Sequence, residues 1–276
     1  MKTILNRTAV VATLYAALLT LPAMGGVIYD SIPSPQPPNV YSLGYEVTQT
    51  KEFGNLINFA GTYRDLTSVT VLMSDWALAP TLDSPPWNMD LTLNLYNNSG
   101  PIAGPSFASR TQTFAIPWRP VADPTCADQS QWKAGNGSCY SGFAFTVAFD
   151  FTGTTVPDQI IYGLAFNTQT AGYHPTGTAG PYDSLNFGLA VAGPSVGSDV
   201  VPTTAYWNTA YAPFYTDGGT GGVGIFRLDT AWAYSGAVTF DAVPEPATCL
   251  LFGTGLLCMG LVRRRRRAKT VDGAGA

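Results

Sequence analysis

Hydrolysis by a Ser or Cys nucleophile needs an adjacent base, most often His. This 276-residue sequence holds one histidine, His174, in the loop-like stretch "GYHPTGTAGP". Glycoside hydrolysis needs two carboxyl groups facing one cleft, about 5 to 10 Å apart. Asp75, Asp83, Asp90 and Asp150 offer such groups, but sixteen acids spread over residues 26–242 make any pair easy to draw. "TDGGTGGVG" (216–224) has the glycine density of a phosphate cradle. It lacks the Lys-Ser/Thr of a P-loop and the strand-to-helix setting of a dinucleotide fingerprint, so it reads as a long hairpin turn. Whether Asp217 and nearby carbonyls hold calcium is open, and the sequence assigns no metal and no cofactor. Aromatic side chains are the larger surplus, with six tryptophans and fourteen tyrosines. Sugar rings dock on such faces, and Trp87, Trp118 and Trp207, near strand ends or in loops, are the contacts offered for a glycan. The competing role is structural, since Trp and Tyr also fill sandwich edges with their polar atoms at the rim.

Those side chains need elements to position them, and the elements read as strands. "NMDLTLNLYN" sets Met89, Leu91, Leu93 and Leu95 against Asp90, Thr92, Asn94 and Tyr96. "GFAFTVAFDF" sets Phe143, Phe145, Val147, Phe149 and Phe151 against Ala144, Thr146, Ala148 and Asp150, and "SLNFGLAV" repeats the period with Leu185, Phe187, Leu189 and Val191. Alternation of this kind marks a strand with one buried face. "SVTVLMSDWAL", "QTFAIPW", "QIIYGLAFNT", "GIFRL" and "GAVTFDA" add further strands, separated by clusters of Gly, Pro, Asn and Ser. Antiparallel strands with one apolar face pack best as two sheets, so the expectation is an all-β, single jelly-roll-like β-sandwich over residues 26–242. No repeat at fixed period favours a propeller or a solenoid.

That central region carries six basic and sixteen acidic residues, a net charge of −10. An acidic surface disfavours nucleic acid, whose phosphates need a basic footprint. Cys126 and Cys139 bracket "CADQSQWKAGNGSC", a turn-rich loop whose closure by a disulfide is worth roughly 3 kcal/mol in an oxidising compartment. Cys249 and Cys258 lie nine residues apart, about 13 Å along a helix, too far to bridge each other.

The two ends differ from the middle. Lys2 and Arg7 precede an apolar run from Thr8 to Leu21, and Ala23 and Gly25 stand at −3 and −1 for a cut before Gly26. This is the pattern of a secretory signal peptide, residues 1–25. Near the other end, Ala247 to Val262 is a run of sixteen uncharged residues, roughly 24 Å long as a helix. A ~30 Å hydrocarbon core is slightly longer, and Arg263, Arg264, Arg265, Arg266 and Arg267 extend the span by reaching headgroups and anionic lipid. Basic clusters stay on the cytoplasmic side, which places residues 268–276 inside and the region before Ala247 outside. Pro244 and Pro246 hold Glu245 in an extended stretch unable to join a sheet.

In this order, Pro244-Glu245-Pro246, a short transmembrane helix and an arginine block resemble the PEP-CTERM sorting signal, here residues 243–267. The resemblance implies handling by an exosortase, a polytopic membrane enzyme of Gram-negative bacteria that also make exopolysaccharide. The nine-residue tail after Arg267 is a departure, because such signals often stop sooner. Residues 42–78 and 205–230 also resemble ectodomains carried by PEP-CTERM cargo, a group with no established activity.

The combined expectation is a non-enzymatic protein that leaves by the Sec route. It is anchored transiently in the inner membrane facing the periplasm, then reaches the cell surface or extracellular matrix. Its expected partners are an exosortase-type enzyme, the inner membrane and exopolysaccharide, and no nucleic acid. The alternative is a secreted glycan-active hydrolase on a jelly roll.

Overall fold

A computed structural model describes residues 25–79, 81, 83–167 and 185–244. The expected signal peptide, the transmembrane helix, the arginine block, Glu245, Pro246 and His174 lie outside the described residues. Residues 25–243 form one compact unit. Among the described residues no helix is long and apolar enough to cross a membrane, and the one helical turn is a 3₁₀ turn at Ala212–Phe214.

The alternating stretches form strands of two antiparallel sheets. In the first sheet, β4 (Asp65–Asp75) is central. On one flank it pairs with β9 (Phe143–Thr155), and on the other with β16 (Val238–Val243) and β11 (Leu185–Ala190). Outside these, β1 (Gly26–Asp30) pairs with β16, while β2 (Ser42–Gly44) and β15 (Ser235–Gly236) pair with β11. The second sheet runs β14 (Arg227–Thr230), β13 (Thr204–Thr209), β3 (Thr50–Asn58), β10 (Gln159–Ala165), β5 (Trp87–Asn97) and β6 (Ser106–Ile116), with β12 (Ser198–Asp199) also on β3. A two-stranded ribbon, β7 (Trp132–Lys133) with β8 (Cys139–Tyr140), stands apart.

The sheets face each other across one core, as a sandwich-like arrangement requires. Val69, Val71, Phe149, Phe187 and Phe240 of the first meet Phe53, Leu93, Tyr162 and Trp207 of the second. Edge-to-face contacts cross between the sheets, Phe53 to Phe187 at 6.2 Å and Tyr162 to Phe240 at 6.0 Å. Tyr162 Oη donates to the Gly236 carbonyl at 2.7 Å, so a buried hydroxyl is satisfied across the core.

β5 keeps its expected faces, with Met89, Leu91, Leu93 and Leu95 inside and Asp90 outside. β11 does not. Asn186, Gly188 and Ala190 are buried as well as Leu185, Phe187 and Leu189, and Val191, expected on the inner face, is past the strand and 54% exposed. The cause is the proline-rich segment before β2, whose Val40 and Ile32 pack over Leu72, Ala144, Ala190 and Ala237 on the sheet's outer face.

Candidate functional site

Trp207 has no surface to offer a sugar. β13 lies between β14 and β3, and the indole is 0% exposed, packed on Trp232 at 4.6 Å and donating to Thr50 Oγ1 at 2.7 Å. Its place among the expected glycan contacts is therefore corrected, because the sheet turns this face into the core. Trp87 and Trp118 are brought together, their rings 6.1 Å apart and tilted by 40°. Trp118 donates to the Pro85 carbonyl at 2.6 Å, and both rings are half-buried.

A more open aromatic surface lies where the proline-rich segment crosses the first sheet. Pro33, Pro37, Tyr41, Trp76, Tyr140 and Leu189 line a groove of about 530 Å³. Tyr41 is 69% exposed and stacks on Tyr234, centroids 5.9 Å apart. Trp76 Nε1 is buried with no acceptor, although Asn39 Oδ1 and Ser74 Oγ cluster beside it around Gly142. The groove thus offers apolar and aromatic faces, the predominant lining of a small-ligand site, while Trp76 Nε1 itself is closed off from solvent. Sequence spacing could not find it, since residues 41, 76 and 140 meet only through pairing in the first sheet and the ribbon.

The acids divide by environment. Asp75 is fully buried and accepts from the Ala77 amide, while Asp83, Asp90 and Asp150 are exposed. Hydrogen bonds from Thr152 hold the Asp150 carboxyl below its ordinary range. The acid with a general acid's environment is one the sequence did not single out, Glu52 on the outer face of the second sheet. It is 8% exposed, and its Oε1 accepts from Tyr96 Oη at 2.8 Å and Asn94 Nδ2 at 2.9 Å. Burial pushes its pKa up, against the opposing effect of Asn94 and Tyr96. Space for the carboxyl comes from Gly163, where a Cβ would stand 2.3 Å from Glu52 Oε1. The signal in the sequence is slight, an acid in the non-alternating stretch "TKEFGNLIN".

The glycine-rich loop cradles an anion, and the anion is its own Asp217. The amides of Gly219 and Gly221 donate to its carboxylate at 2.8 and 3.0 Å. Arg227 completes the set at 2.8 Å and lies 4.0 Å over the Tyr215 ring. Arg227 chiefly holds the Asp217 carboxyl below its usual range. A carboxylate surrounded by donors is poorly placed to ligate calcium, and among the described residues no group of three or more His, Cys, Asp or Glu could hold a metal ion. "GPSVG" (193–197) has the spacing of a nucleophile elbow, but Ser195 sits between two strands, without the strand-to-helix turn, and donates to Asp30 Oδ2 at 2.9 Å.

Cys126 and Cys139 form a disulfide that closes the loop carrying β7 and β8, with Trp132 Nε1 donating to the Gly142 carbonyl at 2.7 Å.

β16 ends at Val243, and Pro244 follows unpaired. Residues 242–267 match the family described as the PEP-CTERM protein-sorting motif, which makes this a chain that carries that sorting signal. The match begins inside β16, at a residue paired on both sides. No curated protein and no solved structure matches the chain.

Proposed function

We propose that this is an exported, non-catalytic surface or matrix protein, delivered through exosortase processing of its C-terminal signal. The match over residues 242–267 carries the reading. In it, residues 1–25 are a Sec signal peptide, 26–242 a jelly-roll-like ectodomain related to other cargo of this kind, and 247–262 a transient inner-membrane anchor. Arg263 to Arg267 hold that anchor at the cytoplasmic face. The fold supports delivery of a finished sandwich, since the described residues from 25 to 243 complete their own core.

The ectodomain's proposed ligand is exopolysaccharide, on the Tyr41–Trp76–Tyr140 groove rather than on Trp207. The exposed ring of Tyr41 and the aromatic lining of the groove support it. Replacing Pro244, Glu245 and Pro246 with Ala tests the sorting role. The variant is expected to keep a C-terminal tag that the wild type loses, and equal loss would make the stretch a linker. One observation favours the hydrolase alternative, the raised pKa of Glu52 on an outer sheet face. A glycan panel showing products, abolished by Glu52→Gln, would select that alternative.

A further inference from the structure

The sorting signal has almost no spacer. Val243 pairs with Asp65 and Ala242 with Leu66 on one side, while Ala242 pairs with Gly26 on the other. Ala242 is 0% exposed. Three residues, 244–246, separate Val243, the last paired residue of β16, from the apolar run that starts at Ala247. Fully extended, the path from Val243 to Ala247 covers at most ~14 Å. An enzyme that binds its substrate as an extended strand uses backbone groups on the bound residues. Ala242 is already paired with β1 and β4, and Val243 with β4.

The sheet is irregular at this end. Opposite β16, β4 carries an extra residue, Thr67, between the partners of Asp241 and Ala242. β1 carries an extra residue, Ile28, one step earlier, and the β4–β9 pairing shifts between Leu66 and Ser68. Bulges interrupt the ladder locally and isolate what lies beyond them. Beyond these stand only Ala242 and Val243, held on the outer flank by a five-residue edge strand. The family match begins at Ala242, where the bulge ends.

We propose that Ala242 and Val243 serve two structures in turn. They close the first sheet in the folded protein, and they peel from β1 and β4 at the bulge to lengthen the peptide that the processing enzyme binds. The inference rests on the sorting reading. Opening of this strand end then limits the rate of processing, and the partner surface is the end of the first sheet, Gly26, Asp65 and Leu66 with Val243. The occupant is that enzyme because the sorting-signal match, residues 242–267, begins at these two sheet residues.

Asp65 and Val243 are directly opposed, within the separation a cross-strand disulfide tolerates. In full-length protein carrying an ectodomain epitope and a C-terminal tag, Asp65→Cys with Val243→Cys locks the end of β16 when oxidised. Tag loss is expected to slow at least about tenfold and to recover with reductant. Inserting about six Gly/Ser residues after Val243 is expected to restore processing in the locked protein, because that length spans a strand-sized cleft. The same insertion without the cysteines is expected to speed tag loss severalfold. Val243→Cys alone controls for the changed side chain. Wild-type processing of the oxidised, locked protein overturns the proposal, as does an insertion that leaves the rate unchanged or lowers it. Wild-type tag loss in the Pro244/Glu245/Pro246 to Ala variant overturns the sorting reading instead, so the two failures are separable.

Discussion

Tyr96 donates its hydroxyl hydrogen to Glu52 Oε1 across 2.8 Å, and the pair lies on the outer face of a sheet that nonetheless leaves Glu52 only 8% exposed. Burial raises the Glu52 pKa. The folded chain therefore holds this proton more tightly than the unfolded chain does. The stabilisation is complete below the unfolded carboxyl's pKa and is lost as pH rises through the folded value. Asp199 leans the same way, also through burial. Thermal unfolding from pH 4 to pH 8 should show wild-type stability falling more steeply with pH than that of Glu52→Gln. Parallel curves would mean the proton on Glu52 contributes nothing.

Two glycines on neighbouring strands should respond differently to alanine. At Gly54 a Cβ would stand 1.8 Å from the Tyr162 carbonyl oxygen, which is backbone and cannot swing away. Gly54→Ala should prevent folding or cost more than about 3 kcal/mol in urea. At Gly163 the obstacle is the Glu52 side chain. Gly163→Ala should cost about 1–3 kcal/mol and abolish the pH effect above, since Glu52 loses its place beside Asn94 and Tyr96. Equal costs at the two sites would contradict this geometry.

The aromatic residues should separate binding from stability. Trp207→Ala empties a core position and should cost about 3–5 kcal/mol. Tyr41→Ala removes an exposed ring and should leave the melting temperature unchanged, while weakening exopolysaccharide binding by about tenfold, or ~1.4 kcal/mol. Titration calorimetry and melting curves on the same preparations check both. Unaltered binding in Tyr41→Ala would move the glycan site away from the groove.

Reducing the Cys126–Cys139 bond frees a loop spanning a sequence separation of 13 and should lower stability by about 3 kcal/mol. Comparing denaturant midpoints with and without reductant measures it. A change below about 1 kcal/mol would show that the β7–β8 ribbon holds its loop without the bond.

Sheet strands with one wet face were legible from alternation alone, as β5 and much of β9 illustrate. β3 and β13 were not. Leu56 and Tyr206 pack in a second cluster on the outer face of their sheet, while Phe53 and Trp207 fill the core, so neither strand alternates. β11 misled for a related reason, the proline-rich cover over its outer side. The sorting signal was legible because it is a linear pattern of residue types. The aromatic groove and the Glu52 cluster were not, because each joins residues distant in sequence through strand register, which composition does not contain. Trp207 shows the converse: a tryptophan near a strand end carries no label for the face it will occupy.

Processing at both ends is the account's central claim, and intact-mass analysis with terminal sequencing of the protein recovered from the cell surface or medium measures it directly. The expected species begins at Gly26, carries the Cys126–Cys139 bond as a deficit of two hydrogens, and lacks Arg263 to Arg267. A surface protein that retains the arginine block would contradict the account.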